Sequence, residues 1–203
     1  MPLVQRKQDA THPIGDSPLC TACVVGPFVP GSALDYVVTS GLALVYTQVQ
    51  TAAQEIQVKS ATVVRDDGSA LGVLFAVESL IGAGAATTGR ALVRVTSAPA
   101  AGGILRPDLT ALSAPGSGDQ VVIRAASGPV AGTVADSART IPTPVDGGPD
   151  LDDGFTVRLP EDAALNMQDS GAPVLAADGS WLGMFLYEDP AAPVAYCTKA
   201  VNM

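Results

Sequence analysis

Short apolar runs separated by glycine and proline turns follow one another along most of the chain. Their aliphatic and β-branched residues favour β-strands, and in residues 56–64 apolar and polar positions partly alternate. The other clear runs cover residues 20–25, 36–41, 91–95 and 120–125. A helical turn fits only residues 47–55 and 160–167. The pattern therefore predicts an all-β protein, built as a barrel or a sandwich.

Two Asp-Gly turns predict β-hairpins at corresponding places in the two halves of the chain. Residues 67–72 read Asp-Gly-Ser-Ala-Leu-Gly, and residues 178–183 read Asp-Gly-Ser-Trp-Leu-Gly. The two turns lie about half a chain length apart, and a repeat at that spacing indicates two similar β units.

Changes in composition predict how these units are arranged along the chain. Residues 1–17 are polar and contain prolines, so we expect an N-terminal arm. Residues 98–108 are rich in alanine, glycine and proline and predict a linker. The first β-barrel is then expected over residues 18–97 and the second over residues 109–203.

The charge balance narrows the classes of partner. The chain has 203 residues with 20 Asp and Glu against 11 Lys and Arg, for a net charge of −9. The basic residues do not form a cluster. Because a phosphate-binding surface needs a basic patch, neither nucleic acid nor an acidic membrane surface is an expected partner.

Apolar runs, the N-terminal residues and the number of cysteines bear on the cellular location. No apolar run approaches the roughly 18 residues of a membrane-spanning helix. The N-terminal residues 1–14 are polar and carry no apolar core of a secretory signal. Three cysteines form an odd set. We therefore expect a cytoplasmic protein, while a virion or particle interior, or a removed signal, would leave the same pattern.

One motif points to a known family. Asp169-Ser170-Gly171-Ala172-Pro173 leads into an apolar strand, an Asp-Gly hairpin and a second apolar strand. This arrangement resembles the nucleophile segment of trypsin-like (chymotrypsin-fold) serine proteases, and the resemblance extends loosely over residues 18–203. It implies a trypsin-like double β-barrel of two six-stranded barrels, with the Ser170 turn in the second barrel.

The same resemblance implies that the catalytic residues are missing. In this family a histidine activates the serine and an aspartate orients the histidine. Leu42 occupies the histidine position after the strand Val-Val-Thr-Ser, and Gly89 occupies the aspartate position before Arg90. Gln168 replaces a glycine that contributes to the oxyanion hole.

Other bases for Ser170 are poorly placed in the sequence. The only histidine, His12, precedes the first predicted strand, and a Ser-Lys pair would require Lys59 or Lys199. Because a serine without a base is a poor nucleophile, we expect no catalytic residue, with Ser170 and Asp169 vestigial.

These expectations define three functional hypotheses. The preferred one is a catalytically inactive protease-like protein, a pseudoprotease, that binds a protein partner or acts as an assembly subunit, including as a homo-oligomer. The second is a residual serine hydrolase that uses Ser170 with a non-standard base. The third is an all-β structural subunit of a particle or filament without protease ancestry, which a single sandwich in place of two barrels would favour.

Two residue clusters contain the side chains that metal sites use. Cys20 and Cys23, with His12 and Cys197, reach the ligand count of a structural zinc site, but free buried thiols are expected. The acidic loop resembles a calcium set without the spacing of an EF-hand, and its carboxylates are Asp146, Asp150, Asp152 and Asp153. We therefore expect no metal and no cofactor. Trp181, the single tryptophan, is expected to pack in the core or at its rim.

Overall fold

The computed structural model describes ten segments of the chain, namely 2–6, 17–25, 36–40, 62–65, 70–77, 89–95, 112–125, 128–142, 150–166 and 169–202. The expected linker at residues 98–108 and the possible helical turn at 47–55 lie outside these segments.

The first six strands close into a barrel. They are β1 (Pro2–Arg6), β2 (Ser17–Val25), β3 (Tyr36–Ser40), β4 (Thr62–Arg65), β5 (Ala70–Val77) and β6 (Arg90–Val95). All pairs are antiparallel, in the order β1-β2-β3-β6-β5-β4, with β4 returning to β1. Closure removes the sheet edges that an open sheet would expose.

The next six strands close into a second barrel. They are β7 (Gln120–Ala125), β8 (Gly128–Ile141), β9 (Leu151–Arg158), β10 (Pro173–Ala176), β11 (Trp181–Glu188) and β12 (Val194–Lys199). Their order is β10-β11-β12-β9-β8-β7, and β10 pairs with β7. The prediction of an all-β fold with two six-stranded barrels is therefore confirmed.

The expected N-terminal arm, residues 1–17, is wrong in part. Pro2–Arg6 form β1, in which Leu3 lies opposite Cys20 of β2 and opposite Arg65 of β4. Without β1, the backbone groups of β2 and β4 that face it would have no strand partner. This short run therefore forms a strand because it completes the pairing of the barrel.

Helical structure is minimal in the described residues. A 3-10 turn, Ala200–Asn202, follows β12. At residues 160–166 the chain makes a turn rather than a helix, closed by a bond from the Ala163 N–H to the Pro160 carbonyl at 3.1 Å. No helix in these segments has the length and apolar character needed to cross a membrane.

The core of the second barrel is made of inward-facing aliphatic residues around two phenylalanines. Alternation along β7 and β9 sends one set of side chains inward, since successive strand residues face opposite sides. Within this core cluster lie Val121, Ile123, Val134, Phe155, Val157, Leu182, Phe185, Ala195 and Cys197, all at most 2 % exposed.

The two barrels contact each other through β3 and β11. On the first barrel, Gly89 precedes β6, and a Cβ atom built on it would lie 3.1 Å from Cδ1 of Leu151 and 4.0 Å from Cδ2 of Leu186. Leu151 and Leu186 are buried but lie outside the core cluster of the second barrel. They therefore pack between the barrels.

Gly183 allows β11 to approach its neighbours closely. A Cβ atom at this position would overlap the carbonyl oxygen of Thr198 on β12 and lie 2.7 Å from Cε1 of Phe155. The backbone oxygen cannot move without disturbing the β11–β12 pairing, in which Gly183 lies opposite Lys199. A glycine is required here because of the space and not because of the turn geometry.

We predict that Gly183→Ala lowers the free energy of unfolding by about 3 kcal/mol or more, because the added methyl overpacks a closed site. Chemical denaturation with a spectroscopic readout measures this change. Gly179→Ala is the matched control: its φ of +86° disfavours alanine, but nothing lies within 4 Å of the added atom. It should cost only about 1–2 kcal/mol, and equal losses in the two variants would contradict the steric argument.

Candidate functional site

The Ser170 turn is fixed by backbone hydrogen bonds to its own ends and to β11. Within the turn, the Asp169 N–H donates to the Asn166 carbonyl at 3.0 Å, and the Ala172 N–H donates to the Asp169 carbonyl at 2.9 Å. Two bonds join the turn to β11, from Gly171 N to Phe185 O at 2.7 Å and from Phe185 N to Ala172 O at 2.8 Å. The turn therefore docks on β11 before β10 begins.

A side-chain hydrogen bond and a glycine with a positive φ explain this local conformation. Asp169 is 1 % exposed, and its Oδ2 accepts a bond from the Asn166 N–H at 3.1 Å. Gly171 has a φ of +94°, a region that side-chain-bearing residues rarely adopt. Asp169 and Gly171 thus have structural roles that do not depend on catalysis.

Ser170 itself is buried and unpaired. Its residue exposure is 0 %, and its Oγ has no hydrogen-bond partner among the described residues. A nucleophilic serine needs access to a carbonyl carbon and a base within hydrogen-bond reach. The described surroundings of Ser170 supply neither.

Gly89, the position at which the resemblance implies an aspartate, is placed directly before β6. It is buried, with a φ of +60°, and it packs against Leu151 and Leu186. A side chain there would require a left-handed backbone and a displacement of Leu151, which is 1 % exposed. Glycine therefore fits this position with the least strain.

Of the other residues that the sequence suggested for catalytic positions, the structure describes only Lys199. Leu42, Gln168, His12 and Lys59 lie outside the described residues, so their roles stay predictions from the sequence. Lys199 is described, and its Nζ donates to Oδ1 of Asp153 on β9. The ammonium of Lys199 is thus in an ion pair rather than beside Ser170.

Ser170 is not the only buried hydroxyl in the described residues, and Ser40 and Thr198 were not anticipated from the sequence. Ser40 ends β3, opposite Arg90, and Thr198 lies on β12, opposite Met184. They are at most 1 % exposed, and neither Ser40 Oγ nor Thr198 Oγ1 has a hydrogen-bond partner in the described part of the chain. A serine or threonine in a strand carries no sequence signal of this kind, because burial there depends on how the barrels pack.

The acidic segment differs from the predicted loop. Asp152 and Asp153 belong to β9, which begins at Leu151, whereas Asp150 precedes the strand and Asp146 lies outside the described residues. The three described carboxylates are exposed. Across the described segments, no group of three or more acidic, histidine or cysteine residues is arranged to hold a metal ion.

The cysteines are divided between the barrels. Cys20 and Cys23 belong to β2 of the first barrel, whereas Cys197 is a free thiol in the core cluster of the second. Burial raises the pKa of the Cys197 thiol far above its usual range. Cys197 is therefore the buried free thiol that the sequence predicted.

This burial predicts a pH effect on stability. The folded state keeps the Cys197 proton, whereas the unfolded thiol loses it above about pH 8.5. Stability is therefore complete below that pH and declines above it, by up to about 1.4 kcal/mol per pH unit. Denaturation between about pH 8 and 10 should show a smaller decline in Cys197→Ala than in the parent. Parallel curves would contradict the assignment, since Cys20 and Cys23 contribute equally to both proteins.

Trp181 packs as expected. It is 2 % exposed, and its Nε1–H donates to the Gly183 carbonyl at 2.6 Å. A buried indole needs such a partner for its single donor. The prediction that Trp181 is a packing residue is confirmed.

A polar aromatic cluster closes the other end of β11. Tyr187 and Tyr196 lie opposite each other on β11 and β12, with ring centroids 4.9 Å apart. The Tyr196 hydroxyl donates to Oδ2 of Asp189 at 2.9 Å, and the Tyr187 hydroxyl donates to the Pro142 carbonyl. Burial is the main cause that raises the pKa of each tyrosine. The cluster ties the start of β12 to the end of β8.

The burial of Ser170 predicts that its hydroxyl does not contribute to the stability of the protein. Ser170→Ala removes a buried, unpaired hydroxyl, so the free energy of unfolding should stay the same or rise by up to about 1 kcal/mol. Asp169→Ala is the matched control, since it removes the acceptor of the Asn166 N–H and should cost about 1–3 kcal/mol. Urea denaturation of both variants gives the values. A destabilised Ser170→Ala would mean that the hydroxyl has a partner.

Comparison of the sequence with known proteins finds no matching family model and no characterised protein with significant similarity. The fold does have solved counterparts. The MamO protease domain from Magnetospirillum magneticum has 15% identity and a TM-score of 0.52, with 99% of this chain and 92% of that chain covered.

Two further proteases superpose comparably. The Rv3671c protease from M. tuberculosis, in its active form, has 16% identity and a TM-score of 0.54 over 98% of this chain and 75% of its own. A glutamic acid specific serine protease has 18% identity and a TM-score of 0.57 over 90% and 88%. At these identities the likeness concerns the fold alone. The chain therefore has the trypsin-like double-barrel fold of serine proteases.

Proposed function

We propose that this protein is a catalytically inactive member of the serine protease fold that acts by binding protein, as a docking or assembly subunit. The observation that carries the proposal is the state of Ser170. Its hydroxyl is fully buried and has no hydrogen-bond partner among the described residues. Among the described residues, this hydroxyl has no base within hydrogen-bond reach and no exposure through which a substrate carbonyl could approach, which supports the proposal.

The surroundings of Ser170 support the same proposal. Gly89 stands where the resemblance implies the orienting acid, and a Cβ atom there would lie 3.1 Å from Cδ1 of Leu151, so a carboxylate would strain both the backbone and this contact. Loss of the activating base alone removes most of the rate enhancement of a serine triad, by roughly a factor of a million. With Leu42 in the histidine position, the base is also missing in sequence.

The hypothesis of residual hydrolysis has less support. A Ser-Lys mechanism needs a lysine beside the nucleophile in its neutral form. Lys199 instead pairs with the exposed carboxylate of Asp153. A single β-sandwich would have favoured a structural subunit without protease ancestry, but the chain forms two closed barrels.

An activity-based probe tests the chemical half of the proposal. A fluorophosphonate probe should label neither the native protein nor Ser170→Ala, because labelling requires an accessible and activated hydroxyl. Trypsin in the same reaction is the positive control. Labelling that is lost in Ser170→Ala would identify a serine hydrolase and end the proposal of inactivity.

Purification from its native source tests the binding half. The tagged protein and Ser170→Ala should form the same complexes, as measured by size-exclusion chromatography and mass spectrometry. Complexes that depend on the Ser170 hydroxyl would contradict the proposed role, because the hydroxyl is not available to a partner.

A further inference from the structure

We draw no further inference here: the strongest candidate, the cavity between the start of β8 and the turn at residues 160–164, is lined by apolar residues and the exposed carboxylate of Asp162, and nothing in the structure shows what occupies it.

Discussion

Strand β11 is the element on which both barrels and the Ser170 turn depend, because it is buried on both of its faces. All residues from Trp181 to Leu186 are buried, and the five that carry side chains are at most 2 % exposed. Leu182 and Phe185 belong to the core of the second barrel, while Leu186 contacts Gly89 of the first. Its main chain also receives the Ser170 turn at Phe185. A change in the position of β11 would therefore be transmitted to the barrel contact and to the turn together.

Much of this architecture could be predicted because its signals are local. The apolar run of β11, bounded by an Asp-Gly turn, is typical of a fully buried strand, and β7 was predicted with its observed limits. What failed depended on tertiary partners. β1 is only five residues long and lies in the expected N-terminal arm, and the last part of β8, up to Ile141, has no apolar run to mark it as a strand. Such strands form because a neighbouring strand pairs with them. The pattern of apolar residues along the sequence contains no information on that pairing.

The position of the candidate site could be predicted from the sequence, but the burial of its serine could not. The motif located the turn, but it gave no information on the exposure of Ser170, which depends on how the two barrels meet. The structure separates the roles within the motif: Asp169 and Gly171 maintain the turn, whereas nothing in the described contacts requires a hydroxyl between them. Of the three turn residues Asp169, Ser170 and Gly171, the serine is thus the one for which the described contacts give no structural reason.

The packing around Gly89 limits which substitutions the contact between the barrels accepts. A residue with a side chain there would keep a left-handed backbone conformation, and its Cβ atom would press on Cδ1 of Leu151 in the second barrel. Such a change would be tolerated best together with a smaller residue at position 151. The two positions, one on each barrel, are therefore expected to vary together among sequences that adopt this fold.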